Sequence, residues 1–153
     1  VVVVSPDEGS IKRASIHLKR LGSRLAIVDK RRASATETKQ EHIIGESVAG
    51  RIALMFDDMI STGSSMCGAA RLVKESGATE IHVAASHGVF SGHAAENFRN
   101  APIDRVIITD SIPLAPDKQV ENVQVLSVGP LLAEAVKRIH CDQSVSALFR
   151  DDP

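Results

Sequence analysis

Two adjacent carboxylates, Asp57 and Asp58, are followed closely by the run Ser61-Thr62-Gly63-Ser64-Ser65. The hydroxyls of Ser61, Thr62, Ser64 and Ser65 can donate hydrogen bonds, and Gly63 lets the backbone approach an anion closely. Carboxylates repel a phosphate, so Asp57 and Asp58 suit sugar hydroxyls or a divalent cation instead. One site that takes a phosphate and vicinal hydroxyls together describes a ribose phosphate. The plainer reading is that Asp57-Asp58 starts a turn and that Ser64 or Ser65 caps a helix.

These residues need a scaffold, and the flanking sequence supplies one. The apolar run over residues 51–56 predicts a buried strand of a parallel sheet, ending at the carboxylates. A helical pattern begins near Ser65, places Ala69, Ala70, Leu72 and Val73 inward, and stops at Gly77. Strand, short polar loop and helix start leave the first-turn N–H groups without internal partners, which makes an anion site.

Other candidates lie along the chain. Residues 1–4 predict a buried strand, and Ser5-Pro6-Asp7-Glu8-Gly9-Ser10 is turn chemistry leading into a helix over 11–21. That helix keeps Ile11, Ala14, Leu18 and Leu21 on its inner face and sends Lys12, Arg13, Lys19 and Arg20 outward. A strand over 25–28 runs into Asp29-Lys30-Arg31-Arg32. Cations at the C-terminal end of a parallel strand lie on the ligand edge of α/β folds, and a solvated face is the other reading. Residues 33–40 are small and polar without periodicity, as in a mobile loop.

Residues 42–45 predict a short edge strand, paired in a hairpin with Ser47-Val48. Strands are expected over 81–85, 105–108 and 123–128, with helices over 93–99 and 130–140. His87 leaves the end of the 81–85 strand and reads as a wall of the ligand edge, whereas His82 reads as structural. Leu131, Leu132, Ala135, Val136 and Ile139 share one face of the last long helix, and residues 144–149 add a further helical turn docked on a neighbour. The alternation of strands and helices predicts an α/β, doubly wound parallel sheet flanked by helices, with a small edge hairpin.

At 153 residues and 43% hydrophobic content the chain suffices for one domain over 1–153 with a real core. A net charge of −1 gives no reason to expect nucleic acid or membrane as partner. Cys67 and Cys141 show neither C-x-x-C spacing nor a disulfide framework, which favours a reducing cytoplasm. No apolar run has the length of a membrane-spanning helix. Val1-Val2-Val3-Val4 already reads as a core strand, so the chain is expected to be a fragment of a longer parent.

The ribose-phosphate signature resembles the ribose-phosphate diphosphokinases, or phosphoribosyl pyrophosphate synthetases, of the type I phosphoribosyltransferase fold. Ser5-Pro6-Asp7, Lys30-Arg31-Arg32, Thr109-Asp110-Ser111-Ile112-Pro113 and Ser144-Val145-Ser146-Ala147-Leu148-Phe149 carry the resemblance along the whole chain. It covers only the C-terminal half of that two-domain family. The resemblance implies that Ser61, Thr62, Gly63, Ser64 and Ser65 hold the 5-phosphate of ribose 5-phosphate, with Asp57 and Asp58 on the ribose hydroxyls. Asp7-Glu8-Gly9-Ser10 corresponds to the pyrophosphate loop, whose Asp7 holds Mg2+. Lys30 and Arg32 open the catalytic loop and reach the phosphates of ATP.

The implied reaction moves the diphosphoryl group of ATP to the anomeric hydroxyl of ribose 5-phosphate, giving phosphoribosyl pyrophosphate and AMP. Most of the adenine pocket belongs to the absent domain and to neighbouring subunits of a homo-oligomer, so this chain alone is expected to be an inactive half-site in the cytoplasm. Ser10 stands where a second glycine is usual. Ser61 replaces an Asp, and Ser64-Ser65 replace Gly-Thr. Two other readings stay open: a non-catalytic regulatory relative, and a base-transferring phosphoribosyltransferase. The latter enzymes lack the Lys-Arg-Arg start and the Ser-Val-Ser-x-Leu-Phe ending.

Overall fold

The structure is a computed structural model that describes residues 1–31 and 40–149. Its strands are β1 (Val2–Ser5), β2 (Arg24–Arg31), β3 (Gln40–Gly45), β4 (Ile52–Ile60), β5 (Glu80–Gly88), β6 (Arg105–Thr109) and β7 (Val123–Leu126). Its helices are α1 (Ile11–Leu21), α2 (Ser64–Glu75), α3 (Ala94–Arg99) and α4 (Gly129–His140). The strands form one sheet in the order β3-β2-β1-β4-β5-β6-β7. All neighbours run parallel except β2 and β3.

Strand residues alternate between the two faces, so Met55 and Phe56 of β4 point to opposite sides. Met55 joins Ala53, Val83, Val106 and Ile108 in the core beneath Met66, Cys67, Ala70 and Val73 of α2. On the other side, Phe56 stacks on His17 of α1, with ring centroids 3.8 Å apart. The cover given by α1 reaches β1, β2 and β4. Beyond it, His82, Ala84 and Ile107 of that face stay half-exposed.

The expected hairpin between residues 42–45 and Ser47-Val48 does not form. The antiparallel partner of β3 is β2, with Ile27 opposite Ile44 and Val28 opposite Ile43. Val48 turns inward instead and is buried in the core. Gly45 allows the exit from β3, with φ of 98° where a side chain would strain the backbone. The hydrophobic effect on Val48 and the long β2 edge together outweigh a local turn.

Other boundaries also move. The sequence places the end of the central strand at Phe56, yet β4 continues through Asp57 and Asp58 to Ile60. The neighbouring β5 runs on to Gly88, and the ladder pairs Asp57 with Ala85, Met59 with His87 and Ile60 with Gly88. Backbone pairing with a parallel neighbour thus overrides the weak strand propensity of aspartate. Strand β7 stops at Leu126, two residues short of expectation. Residues Val145–Phe149 form a 3-10 turn, and Arg138 of α4 donates to the carbonyl of the preceding Ser144.

Two expectations about helix faces fail as well. Leu21 is exposed rather than inward, and Arg13 is half-buried rather than directed to solvent. The apolar face of α4 exists, but Leu131, Leu132, Val136 and Ile139 are all exposed.

Candidate functional site

The direction of winding reverses between β1 and β4, since β2 follows β1 on one side and β5 follows β4 on the other. Ligand crevices of open α/β sheets form at this point, outside the strand C-termini. Two of the loops singled out from sequence leave β1 and β4 and so flank the crevice together. After β1, Ser5 Oγ donates to the Asp7 carbonyl at 2.7 Å, and the Ser10 N–H donates to Asp7 Oδ1 at 2.8 Å. Asp7 thereby caps a 3-10 turn over Glu8–Ser10 that leads directly into α1. Ser10 has φ −91° and ψ 0°, a negative φ outside the region that favours glycine. A serine therefore stands where glycine is usual without needing glycine's backbone freedom.

After β4, Gly63 adopts φ 72° and caps α2. Neither Ser64 nor Ser65 is the cap; both are helical, and no side chain caps the helix at Gly63. The start of α2 therefore carries no side-chain cap at Gly63, an arrangement in which first-turn amides could donate to an anion. Helix α3 and the segment just before it support this loop from behind. Asn97 Nδ2 donates to the Thr62 carbonyl at 2.9 Å, Ser91 Oγ meets Ser61 Oγ at 2.8 Å, and Phe98 lies directly against Gly63. Thr62 Oγ1 and Ser64 Oγ are 3.2 Å apart. A cleft of about 150 Å3 opens here, lined by Asp57 and residues 59–66.

Asp57, in the lining of this cleft, and its neighbour Asp58 share one cation whose place in the helix pattern suggests an outward side chain. Arg13 of α1 donates through Nη1 to Asp57 Oδ1 and through Nη2 to Asp58 Oδ2, the latter at 2.7 Å. The Asp58 N–H also donates to Asp57 Oδ1 at 2.8 Å. Burial and the hydrogen bond to the Asp58 side chain push the Asp57 carboxyl above its usual range, against the pull of Arg13. The same hydrogen bond, with Arg13, holds Asp58 below it. One carboxylate is thus readier to carry a proton while its neighbour stays ionised, as two like charges side by side require. The signal that could have found Arg13 is its place one turn past the Asp7 loop, on a helix that must cross β4.

The remaining sequence candidates are placed less completely. Lys30 belongs to β2, beside β1, with its backbone opposite Glu41 in the antiparallel ladder. Arg32 and residues 33–39 lie outside the described residues, as do the expected catalytic role of Arg32 and most of the expected mobile loop. His87 sits opposite Met59, one strand away from the cleft, and its Nδ1 meets Ser111 Oγ at 2.8 Å. Among the described residues, no group of three or more His, Cys, Asp or Glu side chains is placed to hold a metal ion.

The sheet order, with its switch point between β1 and β4, defines a phosphoribosyltransferase-like fold. Orotate phosphoribosyltransferase from Aeropyrum pernix shares this fold, with TM-score 0.52 and 16% identity over 89% of this chain and 64% of its own. The phosphoribosyl synthetase-associated domain family matches residues 33–150, and the chain belongs to that family. A ribose-phosphate pyrophosphokinase of Rhodopirellula baltica is 64% identical over 151 residues, which cover 99% of this chain and 48% of that protein. The phosphoribosylpyrophosphate synthetase of Mycobacterium smegmatis superposes with TM-score 0.83 at 34% identity, over 92% of this chain and 45% of its own. The chain spans about half the length of the curated relatives it matches.

Proposed function

We propose that this chain is the ribose-5-phosphate half of a ribose-phosphate diphosphokinase, the C-terminal domain of a two-domain parent. The observation that carries the reading is the convergence of two loops on one crevice. The Asp7–Ser10 turn and the Ser61–Ser65 run follow the adjacent strands β1 and β4, and Arg13 ties α1, the helix after the first, to the Asp57-Asp58 end of β4. In the reaction, the anomeric oxygen of ribose 5-phosphate bonds to the β-phosphorus of ATP. The bond from that phosphorus to the bridging oxygen breaks, and AMP leaves.

Such a transfer depends on position and charge more than on covalent chemistry by the protein. Ser61, Thr62, Gly63, Ser64 and Ser65 would anchor the 5-phosphate through hydroxyls and the first-turn amides of α2. Asp57 and Asp58 would accept hydrogen bonds from the ribose hydroxyls. Asp7, with Glu8, Gly9 and Ser10, would receive the transferred diphosphoryl group beside β1. Lys30 on β2, and Arg32 after it, would neutralise charge that builds on the departing phosphates.

The donor set fits a shared Mg2+ better than a protein cage. Asp7 binds Ser10 N–H through one carboxylate oxygen, and Mg2+ characteristically takes one or two carboxylates plus water and substrate phosphates. When bound, the ion would screen phosphate charge and polarise the attacked phosphoryl group. The site's own contribution is to orient the ribose against the Asp7 loop.

The exposed apolar surface supports a larger assembly. Val125 and Leu126 of β7, the outward face of α4 and Phe149 are all exposed, where a covering domain or subunit of a homo-oligomer would bury them. The adenine of ATP would be held mostly by the other domain and a neighbouring subunit, outside this chain. Among the described residues no helix is long and apolar enough to cross a membrane. The two free cysteines support a cytoplasmic location. The direct test is AMP formation from ATP and ribose 5-phosphate, assayed on this chain joined to the half its relatives carry and on this chain alone. Turnover by the joined protein only is expected; release of ADP instead of AMP contradicts the reading.

A further inference from the structure

Arg13 has no part in the sequence-derived site, yet it touches both of its carboxylates. Its two terminal nitrogens divide between Asp57 and Asp58. The guanidinium side chain is 33% exposed, against 27% for Asp57 and 66% for Asp58. Its stem rises from the first turn of α1, directly after the Asp7 turn. One turn further along the same helix, His17 stacks on Phe56, the residue before Asp57. A single stripe of α1 therefore rests on the residues 56–58 of β4. This contact fixes how the helix following one loop sits on the strand feeding the other.

We infer that Arg13 is a positioning residue of the sugar site, holding Asp57 and Asp58 in one shared orientation so that their remaining oxygens meet adjacent ribose hydroxyls. The inference rests on the assignment of those carboxylates to the ribose. Two neighbouring carboxylates repel each other, and although the Asp58 N–H already bonds Asp57 Oδ1, a cation shared between them offsets that repulsion and holds the pair together. A planar fork of donors engages one oxygen on each with directed bonds, which a point charge cannot do. A carboxylate retains several acceptor positions after one is taken, so Arg13 and a hydroxyl can bind together. Arg13 acts through the carboxylates and touches neither the sugar nor the transferred group.

The test compares ribose 5-phosphate with inorganic phosphate by calorimetry on the chain. Arg13→Gln is expected to weaken ribose 5-phosphate about tenfold or more, while inorganic phosphate, held by residues 61–65, binds as before. Arg13→Lys keeps the charge but loses the fork and is expected to recover only part of the affinity. Full affinity in Arg13→Lys, or unchanged ribose 5-phosphate binding in Arg13→Gln, overturns the inference and leaves the assignment of the site standing. Equal loss for both ligands shows a general structural role and also overturns it. If the unmutated chain binds ribose 5-phosphate no better than inorganic phosphate, the sugar assignment itself fails and takes the inference with it. A second readout needs no variant. In 15N-labelled protein the Arg13 guanidinium is expected to show hindered rotation that persists when ribose 5-phosphate is added. Free rotation in the bound state contradicts the positioning role.

Discussion

Gly63 lies flat against the ring of Phe98, so that a β-carbon at residue 63 would collide with the ring. Its φ of 72° is also one that L side chains rarely adopt. The two constraints act at the same atom. Gly63→Ala should therefore cost about 1–3 kcal/mol through backbone strain, with a further loss as Phe98 is displaced from the core. Thermal unfolding of the variant should occur at lower temperature, and its affinity for inorganic phosphate should fall. A variant with native stability would show that the loop tolerates another path.

Asn97 supports the same loop from α3 through its bond to the Thr62 carbonyl. Asn97→Ala removes that bond in an exposed setting, where about 0.5–1.5 kcal/mol is the usual worth. The expected effect is local. Amide exchange at Thr62, Gly63 and Ser64 should accelerate, while exchange in β4 and β5 stays slow. Uniform acceleration throughout the sheet would mean that Asn97 stabilises the fold rather than the loop.

His17 gives a prediction about acid. Its burial against Phe56, together with Arg20 and Arg13, lowers its pKa from the ordinary 6.5. Below that value the unfolded chain takes up a proton that the folded chain refuses. Stability contributed by neutral His17 is therefore complete above 6.5 and declines as pH falls toward the lowered folded value. His17→Phe keeps a ring on Phe56 and removes the titration. Denaturant midpoints of the two proteins, measured across that interval, should diverge as pH falls, with the variant losing less. Parallel curves would place the His17 proton outside the folding equilibrium.

The sheet was readable because its strands are long apolar runs, and residues 1–4, 81–85 and 105–108 all appear as strands near their expected positions. The loop after β4 was readable because Gly63 and its flanking hydroxyls have few other uses. The fate of Asp57 and Asp58 was not. Their inclusion in β4 depends on the ladder to Ala85 and His87 of β5, and no local pattern encodes a neighbour's length. Arg13 escaped for a related reason. Within its helix it resembles any outward cation, and its partner Asp57 lies 44 residues away. Likewise Val48 reads as the second arm of a hairpin until the core claims it.

Lys30 provides the kinetic test of the proposed activity. It belongs to β2, on the far side of β1 from β4, and under the proposed reading the 5-phosphate is left to the loop after β4. An interaction formed mainly as charge shifts to the departing phosphates is lost from turnover rather than from sugar affinity. In the protein carrying both halves, Lys30→Ala should lower kcat by a factor corresponding to about 3–4 kcal/mol, as for other preorganised donors. Binding of ribose 5-phosphate should change little. Asp57→Ala should do the reverse and weaken sugar binding first. Unchanged turnover in Lys30→Ala would make the Lys30-Arg31-Arg32 run a solvated face.

Amide NMR of the chain distinguishes a ribose 5-phosphate site in the crevice between β1 and β4 from a plain phosphate site. Titration with ribose 5-phosphate should shift the amides of Thr62, Gly63, Ser64 and Ser65 together with those of Asp57 and Asp58. Inorganic phosphate should shift the first group and leave the second in place. Millimolar ribose 5-phosphate that moves none of these amides, or moves them no differently from inorganic phosphate, would contradict the account.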